Sequence, residues 1–234
     1  MDGDQRVALV TGAASGIGLA IATSFVKQGY FTLMLDQSSE LNATAGRLGG
    51  KAEAMVVDVA RQDQIASAMQ AVQKRHGRCD ILVNNAGIHP KREGGKYTIE
   101  QITHEQWQEV IAINLTAPFL FTQLALPLMR ARRWGRIVNI SSRGGRTVSP
   151  VASAHYSATK SGLIGFRRTT ALEAAADNIT EHHGNLLHAR TVEERDHGGL
   201  LPRGDRRLHQ GHPPGTLRRC GRSRRRVNIS AFEV

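Results

Sequence analysis

Apolar residues in the first 177 positions recur with two periods, and the two alternate along the chain. "RVALV" (6–10) is a short apolar run of strand length, closed by a glycine turn. "IGLAIATSFVKQG" (17–29) has helical spacing and stops at Gly29, a favourable residue just past a helix end. "YFTLMLD" (30–36) and "AEAMVVD" (52–58) read as buried strands, and "DQIASAMQAVQKRHG" (63–77) as a helix ending at Gly77. "CDILVNNAG" (79–87) is a fourth strand with its turn, and "GRIVNISS" (135–142) a fifth. Residues 100–131 form a long helical pattern with kinks expected at Pro118 and Pro127, and a further helix covers about 154–176. Strands alternating with helices predict α/β architecture: one doubly wound parallel sheet with right-handed crossovers. In such a sheet ligands bind beyond the carboxyl ends of the strands, so the polar residues just after each strand carry the functional question.

Composition sets few further limits. Forty per cent apolar residues suit a globular protein, and no run approaches the ~18 apolar residues of a membrane span. The start "MDGDQRVALVTG" lacks the basic and apolar regions of a secretory leader, so a cytoplasmic location is expected. Cys79 and Cys220 have no metal-ligand spacing, and Cys79 reads as core. The net charge of +11 is unevenly distributed. All 6 Lys, both Trp and all 3 Tyr lie before position 161, whereas 6 of the 10 His lie after 177. From 178 onward the 11 basic residues are all Arg. Such a tail can touch nucleic acid non-specifically, but it lacks the aromatics of a specific site.

Chemistry gathers after the strands. "TGAASGIG" (11–18) follows the first strand and opens a helix. Gly12, Gly16 and Gly18 permit a tight turn and let a pyrophosphate approach backbone N–H groups, with Ser15 and Ile17 between them. Asp36 ends the second strand, 18 residues past Gly18. A carboxylate there accepts hydrogen bonds from both ribose hydroxyls of NAD and repels the extra phosphate of NADP. Asp58 and Val59 end the third strand, where an Asp can serve the adenine amino group or simply cap the next turn. Tyr156 and Lys160 are four apart on a helix and share one face. An ammonium beside a phenol stabilises the phenolate, so Tyr156 can exchange a proton with an alcohol or carbonyl, and Lys160 can also hold a ribose. Ser142 ends the fifth strand and can polarise a carbonyl oxygen; Ser141 is the alternative. Arg143 and Arg146 follow it, with Lys91 and Arg92 in another loop. They are either solvated or suited to an anionic substrate. His155 points off the Tyr–Lys face.

These motifs together resemble the classical short-chain dehydrogenase/reductase family. The matches are "TGAASGIG", "DV" at 58–59, "NNAG" at 84–87, Asn114 in "AINLTAPF", "IVNISS" at 137–142 and "YSATK" at 156–160, spread over about 177 residues. The resemblance implies a Rossmann-like sheet binding NAD, with NADP the less expected cofactor, and no metal. It implies hydride transfer with a small alcohol or ketone, and assembly as a homodimer or homotetramer. Asn114, Ser142, Tyr156 and Lys160 become the catalytic set, Asn114 holding a water in a proton relay with Lys160. The cofactor would meet Gly12, Ser15, Gly16, Ile17, Gly18, Asp36, Asp58, Val59, Asn85, Ala86, Gly87, Tyr156 and Lys160. Substrate contacts fall to Ser142, Arg143, Arg146 and Tyr156. The alternatives are an NADPH-dependent 3-oxoacyl-carrier-protein reductase, a non-catalytic nucleotide-binding remnant, or a basic nucleic-acid binder.

The resemblance stops near residue 179, which divides the chain into a 1–179 dinucleotide-binding domain and an aberrant 180–234 tail, expected to be disordered. The family's sixth strand with its "V-N-x-x-x-P-G" turn, the substrate-covering helices and the seventh strand are missing from the written sequence. Shifted by one base, permitted codons for Gly211–Ser230 can read "AIPLGRFGDADEVAAALIFL", which resembles the approach to the family's last strand. The same shift can turn Glu181–Gly184 into "NITV" and Ala189–Arg190 into "PG". The tail therefore reads as frameshifted.

Overall fold

The computed structural model describes residues 5–93 and 95–185 of the 234-residue chain. Six parallel strands form one sheet, ordered β3-β2-β1-β4-β5-β6. They are β1 (Val7–Thr11), β2 (Phe31–Asp36), β3 (Ala52–Val56), β4 (Ile81–Asn84), β5 (Gly135–Ser141) and β6 (Ile179–Asn185). The helices are α1 (Gly16–Lys27), α2 (Leu41–Leu48), α3 (Gln62–His76), α4 (His104–Ile111), α5 (Ala117–Arg132) and α6 (Ala154–Ala174). The sheet and helix order confirm the doubly wound, Rossmann-like arrangement read from the periodicity.

Burial explains why these segments take these forms. β1 is buried throughout, as an apolar strand paired on both sides must be. One face of the sheet, with Leu9, Leu33, Leu35, Leu82 and Ile137, packs under Ile65, Met69 and Val72 of α3 and Phe121, Ala125 and Met129 of α5. The stretch His104–Arg132 is long and apolar enough to cross a bilayer, but here its apolar side covers the sheet. Cys79 is part of this core, and burial pushes its thiol up to about 12.

Three features depart from the sequence reading. α2 was not anticipated. The expected kink near Pro118 takes the form of a π-helical turn, Ala112–Thr116, between α4 and α5. Pro118 occupies the first turn of α5, and Pro127 lies inside it without ending it. Finally, the expected irregular tail does not begin at 180. β6 runs to Asn185 and pairs with β5 from Gly135↔Ile179 to Ser141↔Asn185. The remainder of the expected tail, 186–234, lies outside the described residues.

Candidate active site

β1 and β4 are neighbours from which the chain departs in opposite directions, so the crevice at their carboxyl ends is the topological switch point. A cleft of about 410 Å³ opens there. The turn after β1 forms its floor. Gly12 has φ +65°, and a Cβ on it would lie 2.9 Å from the Ala86 Cα. A Cβ on Gly18 would lie 2.0 Å from the Gly12 carbonyl oxygen. Glycine at both positions lets the first turn of α1 fold tightly onto the turn after β4. Gly16 faces open space on the cleft side, where its backbone is available to a ligand.

Asn85 braces this turn. Its amide donates to the carbonyls of Thr11 (2.9 Å) and Gly12 (3.1 Å). The Thr11 hydroxyl accepts in return from the N–H groups of Asn85 and Ala86, both at 3.0 Å. Asn85 therefore shapes the glycine turn as well as lining the cleft, a role that sequence reasoning had not separated from ligand contact.

Asp36 stands at one end of the cleft. Its carboxylate accepts from the N–H groups of Ala14 and Ser38, each at 3.0 Å, and is fixed in place. Asp58 accepts from Ala60 N–H at 2.9 Å, so the turn-capping reading holds for it; Asp58 and Val59 also line the cleft.

Tyr156 and Lys160 stand at the other end, on α6. Lys160 is 4% exposed and donates to the Ile140 carbonyl at 2.8 Å. Burial lowers its pKa to about 8, and its ammonium lies 5.8 Å from the centre of the Tyr156 ring. Gly87 keeps this corner open: a Cβ there would meet Asn114 Oδ1 at 3.3 Å and Lys160 Nζ at 3.5 Å.

Asn114 is fully buried in the π-helical turn, a feature frequent at functional sites. Its amide accepts from Ile88 N–H and donates to Ile88 C=O, both at 2.8 Å, and reaches Thr159 Oγ1 at 3.4 Å. The side chain thus clamps the loop after β4 to the helix that carries Tyr156.

Ser142 follows β5, and its hydroxyl oxygen accepts from Gly144 N–H at 3.3 Å, which leaves the O–H proton to donate elsewhere. Ser142, Arg143 and Arg146 are not among the residues lining the cleft, and both arginines are exposed in the loop beyond it. Buried His155 accepts from Tyr156 N–H at 2.7 Å and is not among the residues lining the cleft. The residue that sequence reasoning missed is His89, whose ring stacks on Tyr156. The contact joins positions far apart in sequence, so no local pattern announces it.

The cleft fits a dinucleotide in order: a fixed carboxylate, then a glycine turn at a helix N-terminus, then a Tyr–Lys pair. Similarity to known proteins agrees. A family model described as short chain dehydrogenase matches residues 6–183. D-beta-hydroxybutyrate dehydrogenase of Cupriavidus necator is 38% identical over 180 residues, covering 75% of this chain and 67% of its own length. A 3-oxoacyl-[acyl-carrier-protein] reductase of Thermotoga maritima is 39% identical over 180 residues, covering 75% and 71%. The crystal structure of a metagenomic short-chain oxidoreductase in complex with NADP superposes with TM-score 0.71 at 35% identity, covering 77% of this chain and 81% of that one. With its fold, cleft and motifs in agreement, the chain belongs to the short-chain dehydrogenase family.

Proposed function

We propose that this protein is an NAD-dependent oxidoreductase acting between a secondary alcohol and its ketone, with Tyr156 as general acid/base. The observation that carries the reading is the single cleft that begins at Asp36 and ends at Tyr156 and Lys160. Bound nicotinamide supplies the hydride donor or acceptor. Asp36 and the turn from Gly12 to Gly18 hold the adenosine and phosphate portions, and Lys160 the ribose next to the nicotinamide. Ser142 donates its free O–H to the substrate oxygen and polarises it. Tyr156 gives a proton to that oxygen in reduction and takes it back in oxidation.

NAD is preferred because the Asp36 carboxylate is held rigidly by two backbone N–H groups and cannot swing away from a 2′-phosphate. The relatives named above act on 3-hydroxy or 3-oxo acyl compounds, which supports a substrate with a second oxygen near the reacting carbon. A carrier-protein thioester is the second reading, favoured by exposed Arg143, Arg146, Lys91 and Arg92. Exposed Phe119 and Leu124 on α5 and Leu172 on α6 support association into a homodimer or homotetramer. Steady-state rates with NAD and NADP against a panel of 3-hydroxy acids and simple secondary alcohols test the reading. NADP turnover equal to that with NAD would overturn the cofactor assignment.

A further inference from the structure

The backbone of Tyr156 is tied to its neighbours: its N–H donates to His155, and its carbonyl accepts from the Thr159 hydroxyl. Among the described residues no hydrogen bond reaches the phenol oxygen. The ring is held by packing instead. The His89 imidazole lies on it with centroids 4.1 Å apart and planes inclined by 21°. The neighbouring residue, Ile88, is fixed through both backbone polar groups by Asn114, which also reaches Thr159 on the helix of Tyr156. One buried amide thus sets both partners of the stack.

We propose that His89 is a positioning residue: a neutral aromatic plate that fixes the Tyr156 ring by stacking, and neither an acid nor a base in the reaction. The inference rests on Tyr156 being the general acid/base. The surroundings of His89 favour the neutral ring. Its Nε2 is buried without a partner among the described residues, so a proton added there gains no acceptor. Burial first, then Lys91 and His155, hold its pKa below the ordinary 6.5. Tyr156 stacks on it and His155 acts on it from α6, Lys91 acts on it from its own loop, and Lys160 lies 5.8 Å from the centre of the Tyr156 ring. The neutral form is the one that folding favours. The stack is therefore complete above pH 6.5 and is lost as pH falls below that value through the lowered pKa.

The test uses the full chain with ¹³C-labelled tyrosine rings, as wild type, His89→Phe and His89→Ala, with the Tyr156 signal assigned by its loss in Tyr156→Phe. Wild type and His89→Phe should show a ring-current-shifted Tyr156 signal, and His89→Ala should not. The shift should fade below pH 6.5 in wild type and persist in His89→Phe. In the frame-restored chain turnover should fall about tenfold in His89→Ala, the rate equivalent of one aromatic pair, and His89→Phe should recover most of it. A Tyr156 signal that is the same in all three chains would overturn the proposal. So would His89→Phe being as slow as His89→Ala, which would assign chemistry to the imidazole. The resonance measurement needs no turnover. If Tyr156→Phe leaves activity intact, the general-acid reading fails while the stack is still judged by the signal.

Discussion

Strand β1 reads Val-Ala-Leu-Val-Thr and strand β6 reads Ile-Thr-Glu-His-His-Gly-Asn, yet both lie parallel in one sheet. The backbone of β6 pairs with β5 along seven residues, while β1 pairs with β2 along five and with β4 along three. Side chains separate the two strands. β1 buries every residue, and its one polar member, Thr11, satisfies its hydroxyl three times over. β6 buries a carboxyl group. Glu181 is 6% exposed; one oxygen accepts from Asn139, and the other has no partner among the described residues. A backbone ladder can be extended over almost any sequence, but a core position cannot be filled by any residue without cost. The difference marks the place where the sequence stops agreeing with the fold.

The largest effect should come from replacing the region on the β6 side altogether. The family match ends at residue 183, and the matched segment covers about two thirds of the length of the curated relatives. We propose that the written sequence leaves the family's reading frame just after residue 180. The frame-restored chain would read Asn-Ile-Thr-Val where Glu181–Gly184 stand, which removes the buried carboxyl, and would add the missing substrate cover. It should be active with NAD and resist limited proteolysis, whereas the written chain should have little or no turnover. A written chain that is protease-resistant and turns over at the restored rate would show that its tail is a working lobe.

The next effect probes the intact end of the sheet. In the frame-restored chain Tyr156→Phe should cut turnover by about 10²- to 10⁴-fold, the usual contribution of a positioned acid/base, with little change in cofactor affinity. Lys160→Ala should weaken both, because the ammonium serves proton exchange and ribose binding. Retention of a tenth of the activity by Tyr156→Phe would sink the assignment. Asp36→Ala is expected to do less, narrowing the NAD preference without abolishing turnover. An unchanged ratio of kcat/KM between NAD and NADP would show that another group sets it.

What the sequence revealed, and what it hid, follows the same division. Strands β1, β2, β4 and β5 were legible because burial demands continuous apolar runs, whereas β3, read from its sequence as buried, is an edge strand with no buried residue. α2 was not, since "LNATAGRL" buries only Leu41, Thr44 and Ala45 and mixes in Gly and Asn. β6 was hidden because nothing in its composition asks for a strand; neighbouring β5 supplies the template. In the site, the glycine turn, Asp36 and the Tyr–Lys pair were legible because their spacing is local. The bracing by Asn85, the clamp by Asn114 and the stack of His89 were not, because each joins segments dozens of residues apart.

The smallest effect sharpens the comparison at one atom. Burial raises the Glu181 pKa from 4.5 to about 8, opposed by the charge of Arg167 and the Asn139 hydrogen bond. A carboxyl whose pKa is raised by folding holds its proton more tightly in the folded chain than in the unfolded one. Stability from this group is therefore complete below pH 4.5 and declines as pH rises from there toward 8. Glu181→Gln keeps an acceptor for Asn139 and has no proton to lose. The wild-type chain should lose about 1–3 kcal/mol more than Glu181→Gln between pH 5 and 7.5, the cost scale of an unsatisfied buried polar group. Urea unfolding of both chains at the two pH values measures it, since groups common to both cancel in the difference. Amide exchange at Ile179 and Thr180 localises it: faster exchange at pH 7.5 than the intrinsic pH dependence predicts, in wild type alone, places the weakness in β6. Equal pH slopes for the two chains would mean that the carboxyl has found water or a partner, and that β6 is as well fitted to its sheet as β1.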